Sequence, residues 1–358
     1  MKIGIDASRA FFKKRTGIEE YSYQVIRHLR GKLKNHQVFL YLKKGQVVDF
    51  KLPSNWQIKV IGLKYFWTQL ALSLEMLFHS VDVLFVPAHI IPWIVARKTI
   101  VVIHGLEYEF CQGAYSFWEK LYMRFFIKRS VKRTSKVIAV SKNTKQDLIN
   151  LYKVNSQKIQ VVYEGIAENF YAPVDNSQSV SEDPYLLFLG RIEERKNVTG
   201  IIRAFEIIKE KYHLPHKLFL VGKPGYGYQA IEKKIKNSKF KDEIFEAGYV
   251  SDKEKESFLE QADVFLFPTF YEGFGLPILE AQSLGVPVIT SDNSSMPEVA
   301  GDGGVLVDPN NHKAIAEAVN RLFLDKNFRN DIIRKGYENT KRFSWEKCAE
   351  EISKIIED

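Results

Sequence analysis

The sequence predicts an α/β protein of two Rossmann-like domains, each built on a parallel sheet, and three observations carry that prediction. Short β-branched and aromatic runs alternate with amphipathic helical stretches along most of the chain. The apolar runs are continuous rather than alternating, as they are in strands covered by helices on both faces. At 358 residues the chain also exceeds what one hydrophobic core usually serves.

The first strand reads as Lys2-Ile3-Gly4-Ile5-Asp6, so close to Met1 that no room is expected for a signal peptide. Further strands are expected over Val38–Leu42, Ile58–Ile61, Val83–Val86, Ile100–Ile103 and Val137–Val140. Helical periodicity falls over Ile18–Leu29, Trp67–Phe78, Phe117–Val131 and Asn143–Leu151. The stretch from Ala172 to Pro184 is polar, carries two prolines and has no period, so it reads as a linker. Beyond it, strands are expected over Tyr185–Leu189, Lys217–Val221, Val264–Phe267 and Val286–Thr290. Helices follow over Val198–Lys209, Lys253–Gln261, Pro277–Leu284, Lys313–Phe323, Phe328–Thr340 and Trp345–Ile356. Two such halves predict a first domain over residues 1–170, a second over 184–342 and a cleft between them, with ligands at the carboxyl ends of the strands.

Composition narrows the class. Hydrophobic residues at 45% and charged residues at 27% are the proportions of a soluble globular enzyme. Only Cys111 and Cys348 are present, too few for a disulfide framework, so a reducing, cytoplasmic setting is expected. The most apolar stretch, Tyr65 to Phe78, is interrupted by Thr68, Gln69, Ser73 and Glu75. A span needs about 18 uninterrupted apolar residues, so this reads as a core or surface helix. A net charge of +9 implies attraction to an anion: nucleic acid, anionic lipid or a phosphorylated substrate.

The most informative segment runs from Phe267 to Ala281. A strand feeds a loop holding Gly273 and Gly275, and a helix then opens at Pro277 and ends at Gly285. Glycines at a helix N-terminus leave amides free to approach an anion, and the helix dipole adds roughly half a positive charge. Glu272 precedes the helix and Glu280 lies within its first turns, so the two carboxylates need not share one job: one can reach sugar hydroxyls at the loop while the other reaches a ribose diol.

Glu272 and Glu280, with Gly-Phe-Gly-Leu-Pro between them, resemble the E-x7-E signature of family 4 glycosyltransferases of the GT-B fold. Gly190-Arg191-Ile192-Glu193-Glu194-Arg195-Lys196-Asn197 is similar to that family's phosphate-binding segment, with Arg191 and Lys196 in the cationic positions. Val221–Gly225, Gly248–Asp252, Ser294–Asp302, Val307-Asp308-Pro309 and Phe343–Lys347 agree further. In the first half the marks are Gly17 and His104, with Gly105 where the family commonly has Asp. The chain resembles bacterial mannosyltransferases of the family.

The resemblance implies a retaining glycosyltransferase that takes a hexose, mannose from GDP-mannose foremost, from a nucleotide-sugar to a glycan or lipid-linked glycan. It implies Arg191 and Lys196 on the diphosphate, assisted by the amides of Phe274, Gly275 and Leu276 beside Gly273 and Gly190. Glu272 would meet the sugar hydroxyls, Glu280 the ribose and Val250 the base. His104 and Gly17 would face the sugar from the first domain, with the helix over 343–358 packing back on that domain.

No His, Cys or Asp cluster has metal-ligand spacing and no Asp-x-Asp follows a strand, so no metal and no cofactor are expected. Gly222-Lys223-Pro224-Gly225-Tyr226-Gly227 lacks dinucleotide spacing, which excludes a nicotinamide enzyme. Lys120, Arg124, Lys128 and Lys132 recur every four residues, with Phe117, Trp118, Leu121, Tyr122, Phe125 and Phe126 interleaved. Such a helix is either a solvated domain helix or one that lies peripherally on the anionic inner face of a membrane. A nucleotide-sugar epimerase and a degenerate sugar-binding module are the alternatives within the architecture. No nucleic-acid-binding signature accompanies the charge.

Overall fold

The computed structural model describes every residue except 64, 112, 114 and 167–179. The chain divides into two compact units: residues 1–106, 118–165 and 343–358 form the first, and 107–117 with 166–342 the second.

In the first unit the strands are β1 (Lys2–Asp6), β2 (Gln37–Lys43), β3 (Trp56–Ile61), β4 (Val83–Val86), β5 (Lys98–Ile103), β6 (Lys136–Ala139) and β7 (Ile159–Val161). They form one sheet in the order β3-β2-β1-β4-β5-β6-β7, every pairing parallel. The order reverses between β1 and β4. In such sheets a crevice opens outside the carboxyl ends of the strands at the reversal. β4 is buried along its whole length, as a strand covered on both faces requires.

The helix Gly17–Leu29 lies against the last helix of the chain, Trp345–Glu357. That last helix buries Trp345, Cys348, Ala349, Ile352, Ile355 and Ile356, a stripe at helical spacing. Ser344 starts it by accepting the Lys347 amide at 3.1 Å. The Tyr21 and Trp345 rings meet edge to face, 5.7 Å between centroids. Both cysteines are free.

The second unit holds β8 (Tyr185–Leu189), β9 (Lys217–Val221), β10 (Ile244–Gly248), β11 (Val264–Phe267), β12 (Val288–Ser291) and β13 (Gly304–Val307). Their order is β10-β9-β8-β11-β12-β13, again parallel throughout, with the reversal between β8 and β11.

The structure corrects the sequence reading in several places. β7, β10 and β13 were not expected, and all three lie at sheet edges, where one side is exposed and no continuous apolar run is required. The helix Tyr228–Lys236 was missed as well, its polar face carrying Lys233, Lys234 and Lys236. The strand expected from Val286 starts at Val288, because the Val286 amide closes the preceding helix on the Ala281 carbonyl. Residues 107–117, read as part of the first domain, group with the second unit. There Phe110 stacks on Tyr271 with 4.6 Å between centroids and 11° between planes. Most of the expected linker, Ala172 to Pro184, lies outside the described residues.

A Cβ added at Gly165 would overlap the backbone of Ser344 and Trp345, where the chain enters its last helix, while one at Gly62 would meet nothing within 4 Å. Gly165→Ala is expected to lower unfolding free energy by about 2 kcal/mol or more in urea titration, and Gly62→Ala by less than about 0.5 kcal/mol. Equal stability of the two variants would remove the close contact at Gly165 from the account of the fold.

Candidate functional site

In the second unit the chemistry gathers at the carboxyl ends of β8 and β11, the two strands that flank the reversal. β8 runs into Gly190 and β9 into Gly222, both with φ near +150°, at 149° and 146°. A Cβ on Gly222 would overlap the Gly190 carbonyl, so the two turns can approach only as glycines. Ile192 then bridges to Pro224, and Gly225 leaves room for the stem of Arg191. Arg191 itself is exposed.

Lys196 ends the short turn Glu194–Lys196 and is buried, its Nζ 4.8 Å from the centroid of the Phe267 ring. The same Nζ donates to Glu272 Oε1. Arg195, which the sequence reading passed over, is the other donor to that oxygen, at 2.7 Å. It also donates to the Tyr271 carbonyl at 2.9 Å and, through Nη2, to Glu193 Oε1 at 2.7 Å. One guanidinium thus forks between two carboxylates and fixes both.

Burial works against each of these charges, and the balance differs by residue. Burial alone would raise the Glu272 carboxyl, but Arg195 and Lys196 outweigh it and hold it below the usual carboxylate range. Burial pulls Arg195 down, yet Glu272, Glu107 and Glu193 outweigh it, so the guanidinium is held above its ordinary value. For Lys196 burial prevails and the ammonium titrates below its ordinary value. Nearby, burial pushes the Cys111 thiol up to about 11, which leaves it protonated and unreactive at neutral pH.

The loop from Glu272 to Gly275 is pinned from behind. Ser294 and Ser295 hydroxyls donate to the Glu272 carbonyl at 2.6 and 2.8 Å, and Ser295 also reaches the Phe274 carbonyl at 2.9 Å. Gly273 and Phe274 are buried, and Gly275, at φ 111°, is the last residue before the helix Leu276–Ser283, with Pro277 in its first turn. Glu280, one turn in, accepts from Lys255 at 2.8 Å, a partner the sequence reading also missed. Lys255 belongs to the helix Asp252–Glu260, which Ser251 and Glu254 cap reciprocally, directly after the half-buried Val250.

In the first unit His104 follows β5 and is buried. Its Nδ1 lies 3.3 Å from Glu164 Oε1 and its Nε2 3.0 Å from the Pro87 carbonyl, so both ring nitrogens face oxygen acceptors. The Tyr21 ring stands edge-on at 4.5 Å, and the His104 amide reaches Nδ1 of His89 at 3.4 Å. Burial, with His104 and Arg9, pushes His89 down to about 3, so that ring is neutral and accepts. Gly17 opens the helix Gly17–Leu29, and an added Cβ there would meet nothing within 4 Å. Among the described residues no group of His, Cys, Asp and Glu could hold a metal ion.

A buried cationic pair set on a carboxylate, beside a glycine-entered helix N-terminus, is a setting for a diphosphate with a sugar attached. Comparison with known proteins agrees with that chemistry. The family model described as Glycosyl transferases group 1 matches residues 174–339, and that described as Glycosyltransferase Family 4 matches residues 15–170. The chain belongs to family 4 of the glycosyltransferases. It is an enzyme of that class, with two parallel-sheet Rossmann-like domains of the GT-B type.

Among its relatives, the O-antigen chain mannosyltransferase B of Escherichia coli is 28% identical over 260 residues, which cover 71% of this chain and 68% of that protein. The O-antigen chain mannosyltransferase RfbU of Salmonella typhimurium is 27% identical over 277 residues, 76% of this chain and 75% of that one. Anabaena HepE in complex with UDP-glucose superposes with a TM-score of 0.75 at 17% identity, covering 100% of this chain and 99% of that one.

Glu272 is the hub of this glycosyltransferase's charge cluster, and Glu272→Gln removes the carboxylate from Lys196 while leaving Arg195 on Glu193. The variant is expected to lose about 3 kcal/mol of unfolding free energy at neutral pH. Because the Glu272 pKa is depressed in the folded state, its contribution is present above the unfolded value of about 4.3 and fades as pH falls through the folded value. Urea titrations from neutral to acid pH should therefore show wild type and variant converging at the acid end. Parallel curves at every pH would exclude Glu272 as an ionised partner.

Proposed function

We propose that this glycosyltransferase moves a hexose, mannose from GDP-mannose, onto a glycan or lipid-linked glycan, with retention of configuration and without a divalent ion. The observation that carries the reading is the largely buried set of Arg195, Lys196 and Glu272 at the carboxyl ends of β8 and β11. The two O-antigen mannosyltransferases among its relatives support the sugar and a glycan acceptor, and a neighbour of the same fold holds UDP-glucose.

In this reading Lys196 exchanges its partner when the donor arrives. Arg195 stays on Glu272 and Glu193, so Glu272 keeps its charge and position while Lys196 turns to the diphosphate. Arg191 joins from the exposed side of the same loop, and the amides of Phe274, Gly275 and Leu276 add the helix dipole. Charge that builds on the departing nucleotide diphosphate then meets fixed positive groups that need no reorganisation. Glu272 is left for the sugar hydroxyls, Glu280 beside Lys255 for the ribose and Val250 for the base. His104 and Gly17 serve the sugar from the first domain. We place the enzyme in the cytoplasm, peripheral on the inner face of a membrane, where the basic helix Phe117–Arg133 meets anionic headgroups.

Lys196→Ala and Arg191→Ala are each expected to cut turnover with GDP-mannose by about a hundredfold or more in a coupled assay of nucleotide release. Near-normal turnover in both would remove these residues from the diphosphate site. Release of free sugar with no acceptor requirement would identify an epimerase instead.

With leaving-group charge carried by side chains and a helix, transfer should persist at full rate after exhaustive dialysis against EDTA. Loss of activity that Mg²⁺ or Mn²⁺ restores would overturn metal independence.

A further inference from the structure

Lys196 is followed by a buried residue that has no part in the charge cluster. Asn197 has φ 58° and ψ 33°, the left-handed conformation that few residues other than glycine adopt. Asparagine tolerates it, so the backbone alone would accept either asparagine or glycine at this point. Asn197 also stands at the N-cap of the helix Val198–Ile207, where an asparagine side chain ordinarily accepts an amide of the first turn. Here it makes no such bond. The side chain is committed elsewhere.

Its Nδ2 donates to the Pro268 carbonyl at 2.9 Å and to the Pro309 carbonyl at 2.6 Å. Both facing atoms are carbonyl oxygens, so the nitrogen is the end of the amide that meets them, and both of its hydrogens are used. Pro268 directly follows β11 and Pro309 lies just beyond β13. One side chain therefore ties the turn after β8 to the exits of two other strands of the sheet. The Phe270 amide returns a bond to the Arg195 carbonyl at 3.1 Å. The turn and the loop after β11 are thus joined by bonds in both directions, one on each side of Lys196. Gly200, in the first turn of the helix, leaves the space for this, because a Cβ there would lie 2.3 Å from Asn197 Oδ1.

We propose that Asn197 is a positioning residue for the transfer step and acts through Lys196. In the reading above, Nζ of Lys196 leaves Glu272 for the diphosphate, so the far end of the side chain gives up its fixed partner. What then keeps the ammonium on course is the Phe267 ring, 4.8 Å from Nζ, and the backbone from which the side chain grows. That backbone is the single turn Glu194–Lys196, closed by only two bonds of its own, from the Lys196 amide to Glu193 and from the Asn197 amide to Glu194. Asn197 anchors the turn to the exit of β11, the strand whose following loop carries Glu272. A displacement of about 1 Å at the base of a group that must meet a leaving group costs up to about a hundredfold in rate. The proposal rests on the reading of Lys196 as a diphosphate contact and adds the residue that aims it.

Asn197→Gly keeps the left-handed turn and removes both clamping bonds. Its turnover with GDP-mannose is expected to fall about tenfold or more, with the KM for the acceptor unchanged. The deciding measurement is a double-mutant cycle with Lys196→Ala, at a temperature where circular dichroism shows every variant folded. If Asn197 acts through Lys196, the double variant turns over about as slowly as Lys196→Ala alone. Additive losses in the cycle, or near-normal turnover of Asn197→Gly, overturn the proposal and leave the diphosphate role of Lys196 standing. Near-normal turnover of Lys196→Ala removes that role and the proposal with it. In case Asn197→Gly does not fold, Gly200→Ala carries the same test, since it keeps Asn197 and crowds its amide away from both carbonyls. The same loss is expected, and again no further loss on top of Lys196→Ala.

Discussion

Taking Arg195, Lys196, Glu193 and Glu272 out of water together is the requirement around which the second unit is arranged. None of the four could be buried alone, since an isolated charge in a protein interior costs far more than a fold can spare. Each is tolerable because the others lie within hydrogen-bond reach, and that requires the turn after β8 and the loop after β11 to meet. The reversal of strand order between β8 and β11 makes those two ends neighbours. Gly190 and Gly222 let the turns approach, and Ser294 and Ser295 hold the Glu272 loop against recoil. The result is a preorganised, charge-balanced cluster in which Arg195 bridges both carboxylates and shares one oxygen of Glu272 with Lys196.

In the first unit the histidines after β4 and β5 are satisfied by a different device. His104 is closed on both nitrogens by Glu164 and the Pro87 carbonyl, and the neutral His89 receives its amide. Glu164 lies just before the chain leaves this unit, and the Trp345–Glu357 helix covers Tyr21 close by. The exposed rings and leucines of the Trp67–Phe78 and Phe117–Arg133 helices are not a shortage of core residues. Both helices have buried stripes of their own.

Much of this was legible beforehand. Strands buried on both faces announce themselves as continuous apolar runs, and β4, β8 and β11 were placed to the residue. The glycine-entered helix at Pro277 and the flanking carboxylates were equally visible, because turn chemistry is local. The edge strands β7, β10 and β13 were not, since a strand with one exposed side carries a weaker pattern than the chance alternation of a loop. Arg195 escaped for another reason. It sits among Glu193, Glu194 and Lys196 in a run that reads as solvated charge, and only the folded turn points it inward at Glu272.

The sequence alone therefore determined the class of fold, the two-domain organisation, the family and the positions of Glu272, Glu280, Arg191 and Lys196. Each of these rests on local periodicity, turn residues or a contiguous motif. Tertiary structure decided what the charges do. It paired Lys196 and Arg195 on one oxygen of Glu272, gave Lys255 to Glu280 and closed His104 on Glu164. It also brought residues 107–117 into the second unit and set Trp93 against Phe125. Those partners are separated by tens of residues along the chain. Which of them meet depends on strand order and side-chain direction, and neither is written in any short window of sequence.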